Sequence, residues 1–259
     1  MKPIIAVLGL GEAGSRIAGD LFAAGADVRG YDPVSSAEPA GVARTADARA
    51  AVAGCDVVLS LNSAAAARAA AEEARPSLRR GSVFADLNTA APALKRELAK
   101  RVGDAAFADV ALLGSVPARG LRTPALASGG GAHTFAEALT PLGMPVEVVS
   151  LEPGDAAARK LLRSVFMKGL AASAIESLDA ASVAGELDWL ESEIADVIGA
   201  DLLQRLVDGS RRHAVRRVEE MAAAAELLEE LDGDPEIARA SAAVLARLAA
   251  DPTQTRPLE

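Results

Sequence analysis

The sequence predicts a Rossmann-type α/β domain with a mostly parallel sheet, followed by an all-α domain. Three observations support this fold class. The apolar run 4–8 runs directly into a G-x-G-x-x-G motif, Gly9 to Gly14, and such short apolar runs are typical of buried parallel strands. Strand and helix patterns then alternate to about residue 149, as in α/β sheets. No strand pattern follows Pro153-Gly154. We therefore predict two domains, 1–151 and 152–259.

The first strand, helix and second strand predict a dinucleotide site. A helix is predicted over 15–24 and a strand over 26–31, with Asp32 at the tip of that strand, 18 residues beyond Gly14. Gly9 permits the tight turn, Gly11 permits close approach of a pyrophosphate, and Gly14 permits close packing of helix on strand. The amides at the helix start would face the phosphates. The alternative is a Gly-rich turn without a ligand, with Asp32 as a simple turn residue.

Asp32 also bears on the choice of cofactor. Its carboxylate would accept hydrogen bonds from the adenosine ribose and repel a 2′-phosphate, which favours NAD. NADP stays possible because a basic neighbour, Arg29 or Arg44, would reverse that preference. The predicted cofactor-binding residues are Gly9, Leu10, Gly11, Glu12, Ala13, Gly14, Asp32, Leu61, Asn62 and Asn88.

The remaining elements of the first domain follow from hydrophobic patterning. Further strands are predicted over 41–44, 56–61, 81–86, 105–112, 125–128 and 146–149, and helices over 45–53, 64–73, 91–101 and 133–142. Ligands of such sheets lie beyond the carboxyl ends of the strands. We therefore expect Gly11, Asp32, Asn62 and Asn88 to converge there. His133, at a helix start, is expected to be exposed or capping rather than catalytic.

The second domain is predicted to consist of helices over 155–184, 186–198, 202–208, 213–231 and 235–250. Lys160, Ser164 and Lys168 recur every four residues on the first of these, so they lie along one drifting stripe. A lysine among apolar neighbours has a lowered pKa and can exchange a proton near neutrality. The alternative is that the lysines extend to solvent and Ser164 bonds to its own helix.

Three motifs resemble those of the β-hydroxyacid dehydrogenases, the group that contains 6-phosphogluconate dehydrogenase and hydroxyisobutyrate dehydrogenase. These are the Gly9–Gly14 turn, the segment 86–92 (DLNTAAP), which is similar to D-x-S-T-x-x-P, and the segment 154–160 (GDAAARK), which is similar to G-x-G-x-x-x-K. The resemblance spans nearly the whole chain. It implies that Lys160 is the catalytic lysine.

The second half, with segments 163–169 and 213–221, resembles an uncharacterised phosphogluconate-dehydrogenase-like branch. There Lys168 and His213 match recurring positions, which makes them candidate site residues. The chain departs from the wider family in four places: Asn88 replaces a Ser, Ser164 replaces an Asn, Ala156 replaces a Gly, and the loop at 109–115 keeps little of D-A-P-V-S-G-G. The substrate is therefore open.

Composition limits the partners and the cellular compartment that we expect for the protein. The net charge of −9 argues against nucleic acid as the main partner. The single cysteine, Cys55, excludes an internal disulfide and is expected to be a buried structural thiol in a cytoplasmic protein. No stretch reaches membrane length, and no metal site is predicted. A homodimer is expected by analogy with the family.

The function expected from the resemblance is hydride transfer between NAD(P) and a small hydroxy acid or its keto form. Lys160 would act as general acid and base, with Ser164 binding the substrate or holding the lysine. Ser115 and His213 are candidate substrate contacts, and Arg119 and Arg122 would bind a carboxylate or lie at the surface. Two alternatives stay open: an imine reductase on the same scaffold, and a non-catalytic NAD(H) sensor.

Overall fold

The computed structural model describes residues 2–250. It divides into two compact units, Met1–Lys160 and Leu161–Glu259. The division follows residue 160 and falls within a long helix. This helix begins at residue 155, a few residues beyond the predicted domain limit at 151.

The first unit contains one eight-stranded sheet in the order β3-β2-β1-β4-β5-β6-β7-β8. All neighbouring strands are parallel except β6 and β7, which are antiparallel. The mostly parallel α/β fold is therefore confirmed. The strands are β1 (Ile4–Leu8), β2 (Asp27–Tyr31), β3 (Ala43–Arg44), β4 (Val57–Ser60), β5 (Val83–Asp86), β6 (Ala106–Leu112), β7 (Ala125–Ser128) and β8 (Val146–Val148).

Helices pack on both faces of this sheet because alternate residues of each strand point to opposite sides. Ile5 of β1 lies in the core formed with the first and sixth helices. Its neighbour Ala6 lies in the core formed with the second, third and fourth helices. The helices of this unit are α1 (Glu12–Ala23), α2 (Ala48–Val52), α3 (Ala64–Ala74), α4 (Pro92–Ala99), α5 (Val116–Arg119) and α6 (Ala132–Leu139).

Helix α7 (Asp155–Ala184) is continuous across the division between the units, with the ends predicted from the sequence. The other helices of the second unit are α8 (Leu187–Ile198), α9 (Ala200–Arg212), α10 (Ala214–Glu230) and α11 (Glu236–Ala250). The all-helical second part is therefore confirmed. Helix α9 is longer at both ends than predicted, since 202–208 covers only its middle.

Two features of the first unit differ from those predicted from hydrophobic patterning. Helix α5 was not predicted, because Pro117 and the short length of the segment leave no helical period to detect. The predicted third strand over 41–44 shrinks to Ala43–Arg44, since Gly41 adopts a left-handed φ of 75° that ends the extended segment. Among the described residues, no helix is both long and apolar enough to span a membrane.

Candidate functional site

Two positions of the turn after β1 have room for glycine only. Gly9 has a φ of 105°, and a Cβ built there would lie 2.4 Å from the carbonyl oxygen of Leu61. A Cβ on Gly14 would lie 1.8 Å from the carbonyl oxygen of Gly9, a distance that no real Cβ tolerates. Gly11 differs, because a Cβ there meets no atom within 4 Å. Gly9 and Gly14 therefore shape the turn, while Gly11 leaves open space beside it.

This open space fits a diphosphate. It lies at the N-terminus of α1, where Gly11 is the N-cap and no side chain caps the helix. The amides of the first helical turn are therefore available to an anion and carry the positive end of the helix dipole. Glu12 and Ala13, predicted as cofactor residues, belong to this first turn. They would bind through their main chains, since Glu12 has an exposed acidic side chain.

Asp32 lies beyond β2 with its carboxylate held by main-chain amides. Its Oδ2 accepts a hydrogen bond from Leu10 N at 2.7 Å, and its Oδ1 accepts from Val34 N at 2.8 Å and Ser35 N at 2.7 Å. Partial burial raises the pKa of Asp32, but these amides and the charge of Arg44 outweigh burial and hold the pKa below its ordinary value. The carboxylate therefore stays ionised, and about one of its four lone-pair sites is left for a ribose hydroxyl.

The two arginines considered for cofactor choice lie in different places. The Arg44 guanidinium donates to the carbonyl oxygens of Asp32 at 2.9 Å and Ala37 at 2.9 Å, so it lies against the loop that follows β2. Arg29 instead donates to the carbonyl oxygen of Ala53 at 2.7 Å. Only Arg44 is therefore a neighbour of Asp32.

Asn62 and Asn88 meet at the carboxyl ends of β4 and β5, as predicted. Asn88 Nδ2 donates to Asn62 Oδ1 at 2.9 Å and to Asp86 Oδ1 at 2.5 Å. Ser60 Oγ donates to the same Asn62 oxygen at 3.2 Å. The main chain of Leu61 borders the glycine turn. The polar ends of these strands therefore form one connected group next to the turn after β1.

Lys160 contacts this sheet edge through Thr89. Its Nζ donates to Thr89 Oγ1 at 2.7 Å, and Thr89 directly follows Asn88. Thr89 belongs to the DLNTAAP segment but was not predicted as a site residue. The contact joins residues 71 positions apart, so it could not be read from local spacing.

The side chain of Lys95 is buried beneath this edge and was not predicted as a site residue. Its Nζ donates to Asp86 Oδ2 at 2.6 Å and to the carbonyl oxygen of Asn88 at 2.8 Å. Pro92 and Leu98 are also buried on α4. The three positions share one helix face, and this spacing is the signal by which the buried lysine could have been found.

Ser164 and Lys168 lie in the second unit and share a partner, Glu220 of α10. Ser164 Oγ donates to Glu220 Oε1, and Lys168 Nζ donates to the same oxygen at 2.9 Å. Lys168 Nζ also lies 3.2 Å from Ser164 Oγ. Burial, together with the charges of Arg217 and Arg163, lowers the pKa of Lys168 against the opposing effect of Glu220. Sequence reasoning missed Glu220, because an acid within a charged stretch such as VRRVEE resembles an ordinary exposed residue.

The remaining predicted contacts are divided between the two units. Ser115, Arg119 and Arg122 are exposed residues of the first unit. His213 belongs to the second unit, where it is half-buried and forms the N-cap of α10. His133 is exposed in the first turn of α6, so the expected exposure is confirmed.

Cys55 is a buried thiol. Burial raises its pKa to about 11, so the reactive thiolate is scarce near neutrality. The expectation that this thiol is buried is confirmed.

Two protein-family models together match most of the chain. Residues 4–142 match the NAD binding domain of 6-phosphogluconate dehydrogenase. Residues 181–248 match a domain of unknown function, DUF1932. A curated relative from Methanothermus fervidus, an uncharacterised 28.5 kDa protein, is 30% identical over 142 residues, which are 54% of this chain. The match spans about half (55%) of that relative's length.

Comparison with solved structures covers nearly the whole chain. A conserved hypothetical protein from Sinorhizobium meliloti 1021 is 33% identical, with a TM-score of 0.77 over 99% of this chain and 92% of that one. Mycobacterium tuberculosis 3-hydroxyisobutyrate dehydrogenase, solved with L-serine, is 20% identical, with a TM-score of 0.81 over 97% and 95% of the two chains. An imine reductase from Aspergillus terreus is 18% identical, with a TM-score of 0.65 over 96% and 94%. The latter two likenesses concern the fold alone.

Proposed function

The chain belongs to the family of the NAD binding domain of 6-phosphogluconate dehydrogenase, and from that premise we propose that it is a nicotinamide-dependent oxidoreductase acting on a small hydroxy acid or its keto form. The observation that carries the proposal is the 2.7 Å hydrogen bond between Lys160 Nζ and Thr89 Oγ1. It holds an amine beside the strand ends at which such sheets bind their ligands.

The protein's own groups would bind the cofactor and move the proton. The glycine turn would hold the diphosphate through the amides of α1, and Asn62 and Asn88 would line the strand ends toward the ring. When bound, the nicotinamide accepts the hydride that leaves the hydroxyl-bearing carbon. Neutral Lys160 would accept the hydroxyl proton in that direction and return it from its ammonium form in reduction. Thr89 would fix the direction of the amine.

The preferred cofactor in this proposal is NAD. Its support is the ionised Asp32, which has capacity for a ribose hydroxyl and would repel a 2′-phosphate. Arg44 is the basic neighbour that could favour NADP, but its hydrogen bonds to three carbonyl groups hold its guanidinium against the loop and use three of its five N–H donors. Separate titrations with NADH and NADPH test the choice, and tighter binding of NADPH would contradict it.

The substrate side of the proposal concerns Ser164, Lys168, Ser115 and His213. Ser164 and Lys168 are proposed to act together with Glu220, the residue to which both are bonded. Ser115 and His213 are proposed as substrate contacts for a small carboxylate.

An imine reductase is the second candidate, favoured by the likeness of fold to the Aspergillus terreus enzyme. The amine of Lys160 suits alcohol and keto chemistry better, because it can exchange a proton with a hydroxyl oxygen. Cyclic imines in the substrate panel separate the two candidates.

The test is a panel of hydroxy acids, sugar acids and cyclic imines, followed by NAD(P)H absorbance, on the wild type and on Lys160→Ala. We expect turnover of a hydroxy acid and a loss of about 10² to 10⁴-fold in kcat, the range for removal of a general acid–base group. Lys100→Ala is the matched control, since Lys100 is an exposed lysine. Undiminished turnover by Lys160→Ala would refute the proposed proton carrier. NADH binding without turnover of any substrate would favour the sensor alternative.

We also propose a homodimer in the cytoplasm. Helix α8 has no buried residue and exposes Trp189 and Val197, apolar side chains that a second copy could cover. Sedimentation at two protein concentrations tests the dimer, and a monomer at both would contradict it. The buried, unpaired Cys55 suits a reducing compartment.

A further inference from the structure

We infer that Lys95 is a positioning residue for Lys160, an inference that rests on the proposed function of Lys160 as proton carrier. Lys95 lies on α4 with its side chain fully buried. Its ammonium group lies between two parts of the first unit, the segment that ends in Thr89 and the start of the helix that carries Lys160. Lys95 would thereby set the distance between the hydrogen-bonded side chains of Thr89 and Lys160.

One side of the network holds the segment before Thr89. Lys95 Nζ donates to the carbonyl oxygens of Asp86 at 3.0 Å and Asn88 at 2.8 Å, and to Asp86 Oδ2 at 2.6 Å. These contacts fix the main chain up to the residue immediately before Thr89. Thr89 then accepts the hydrogen bond from Lys160. A shift of this segment would therefore move the partner of the proposed proton carrier.

The other side holds the start of α7 through Asp109. Asp109 Oδ1 lies 3.2 Å from Lys95 Nζ. Asp109 Oδ2 accepts hydrogen bonds from Gly154 N at 3.2 Å, Ala157 N at 2.9 Å and Ser128 Oγ at 3.2 Å. The carboxylate therefore caps the helix N-terminus three residues before position 160. Both ends of the Lys160–Thr89 contact are thus linked to one buried ammonium group.

The charges of the network explain why a lysine is needed here. Asp86 and Asp109 are both fully buried, and one ammonium cannot neutralise two carboxylates. The N-terminus of α7 supplies about half a positive charge toward Asp109. Burial disfavours the ammonium form of Lys95, but the two carboxylates outweigh burial and raise its pKa. Lys95 therefore stays charged and serves as a fixed cation, while the proton is exchanged elsewhere.

A test independent of the substrate uses the reactivity of the lysines. The chain has five, Lys2, Lys95, Lys100, Lys160 and Lys168, so acetylation by acetic anhydride can be followed at each by peptide mass mapping. The rate at Lys160 against pH reports the environment of that amine. Lys2 and Lys100 are exposed and serve as internal standards.

Two variants interrupt the network of Lys95 at different points. Lys95→Met/Asp86→Asn removes a cation and an anion together, and leaves Asp109 with the amides of α7. Asp109→Asn breaks the Lys95–Asp109 ion pair, which is the link from Lys95 to α7, but leaves the Lys95–Asp86 ion pair. Lys100→Met, on the residue that ends α4, is the matched control. Circular dichroism and NADH binding establish that each variant is folded with an intact glycine turn.

We expect both variants to bind NADH as the wild type does, and to shift the pH midpoint of acetylation at Lys160 but not at Lys2 or Lys100. With a substrate from the panel, kcat should fall by about 10²-fold, the effect of a displacement of about 1 Å at a reacting group, with the KM for NADH unchanged. An unaltered acetylation profile in the folded variants would overturn the inference. Loss of folding in both variants would assign the network to stability alone and would equally overturn it. Because acetylation needs no turnover, failure of the proposed function would be seen separately, in Lys160→Ala.

Discussion

Glu220→Gln is the substitution whose effect on the second unit follows most directly from the structure. Glu220 Oε1 accepts from Ser164 Oγ and lies 2.9 Å from Lys168 Nζ. The side chains of Lys168 and Glu220 are only 13% and 8% exposed. The amide of Gln has nearly the same shape and can still accept the Ser164 hydrogen bond. The variant therefore removes the charge that compensates Lys168 and little else.

The expected magnitude is a loss of about 3 kcal/mol in the free energy of unfolding at pH 7, the lower end of the range for a buried ion pair that loses one partner. The lower end applies because Lys168 keeps its Ser164 contact and some exposure. Glu220 raises the pKa of Lys168 against the larger effect of burial. Without Glu220 this pKa falls further below the model-compound value of 10.5.

The sign of the change in stability with pH follows from the lowered pKa of Lys168. A lysine whose pKa is lower in the folded state binds more protons when unfolded, between the folded pKa and 10.5. Stability therefore rises with pH across that window and is lost as the pH falls through the folded pKa. In Glu220→Gln the window extends to lower pH. The difference between wild type and variant should accordingly be larger at pH 7 than near pH 10.

Urea unfolding at both pH values measures this difference. Trp189 is the single tryptophan and belongs to α8, so its fluorescence reports on the second unit. Glu219→Gln is the control, because Glu219 is the exposed neighbour of Glu220 and should change stability by less than about 0.5 kcal/mol. A loss in Glu220→Gln equal to that of the control, or one independent of pH, would refute the ion-pair reasoning.

Two further predictions concern the cofactor site of the first unit. Gly14→Ala places a Cβ 1.8 Å from Gly9 O and should abolish NADH binding. Gly19→Ala lies on the same helix, and its Cβ would meet no atom within 4 Å, so this control should retain binding. Fluorescence titration measures the binding, and equal affinity of the two variants would contradict the packing argument. Asp32→Asn removes the negative charge facing the ribose side and should shift the NADH to NADPH affinity ratio toward NADPH by about tenfold, which corresponds to about 1.4 kcal/mol. A ratio that stays the same in paired titrations would remove Asp32 from cofactor choice.

The sequence predicted the elements that local patterns encode. The glycine turn, Asn62 and Asn88 lie together at the strand ends because parallel strands bring their carboxyl ends to one edge. The antiparallel direction of β7 was not predicted, since periodicity does not encode strand direction. The segment between Leu112 and Ala125 holds only the short helix α5 and a turn. It lacks the full crossover helix that usually joins neighbouring parallel strands.

The residues that were missed are those whose role depends on distant partners. Lys95, Thr89 and Glu220 each bond to a residue that spacing alone does not identify. The spacing on α4 marks Lys95 as a buried position, but a lysine is rarely buried unless it is paired, and only the structure locates its two carboxylates. Lys160 was identified because a motif resemblance supplied what spacing could not. Its predicted role stays a proposal until the substrate panel is run.

The two buried lysines with altered pKa values show how the same side chain serves different purposes in the two units. Lys95 faces two carboxylates that outweigh its burial, so its pKa is raised and it remains an ammonium group near neutrality. Lys168 faces one carboxylate and has Arg217 and Arg163 nearby, so burial prevails and its pKa is lowered. A group that stays charged can hold a structure but cannot exchange protons near neutrality. Lys95 is therefore excluded as a proton carrier, whereas the lowered pKa of Lys168 does not exclude that residue.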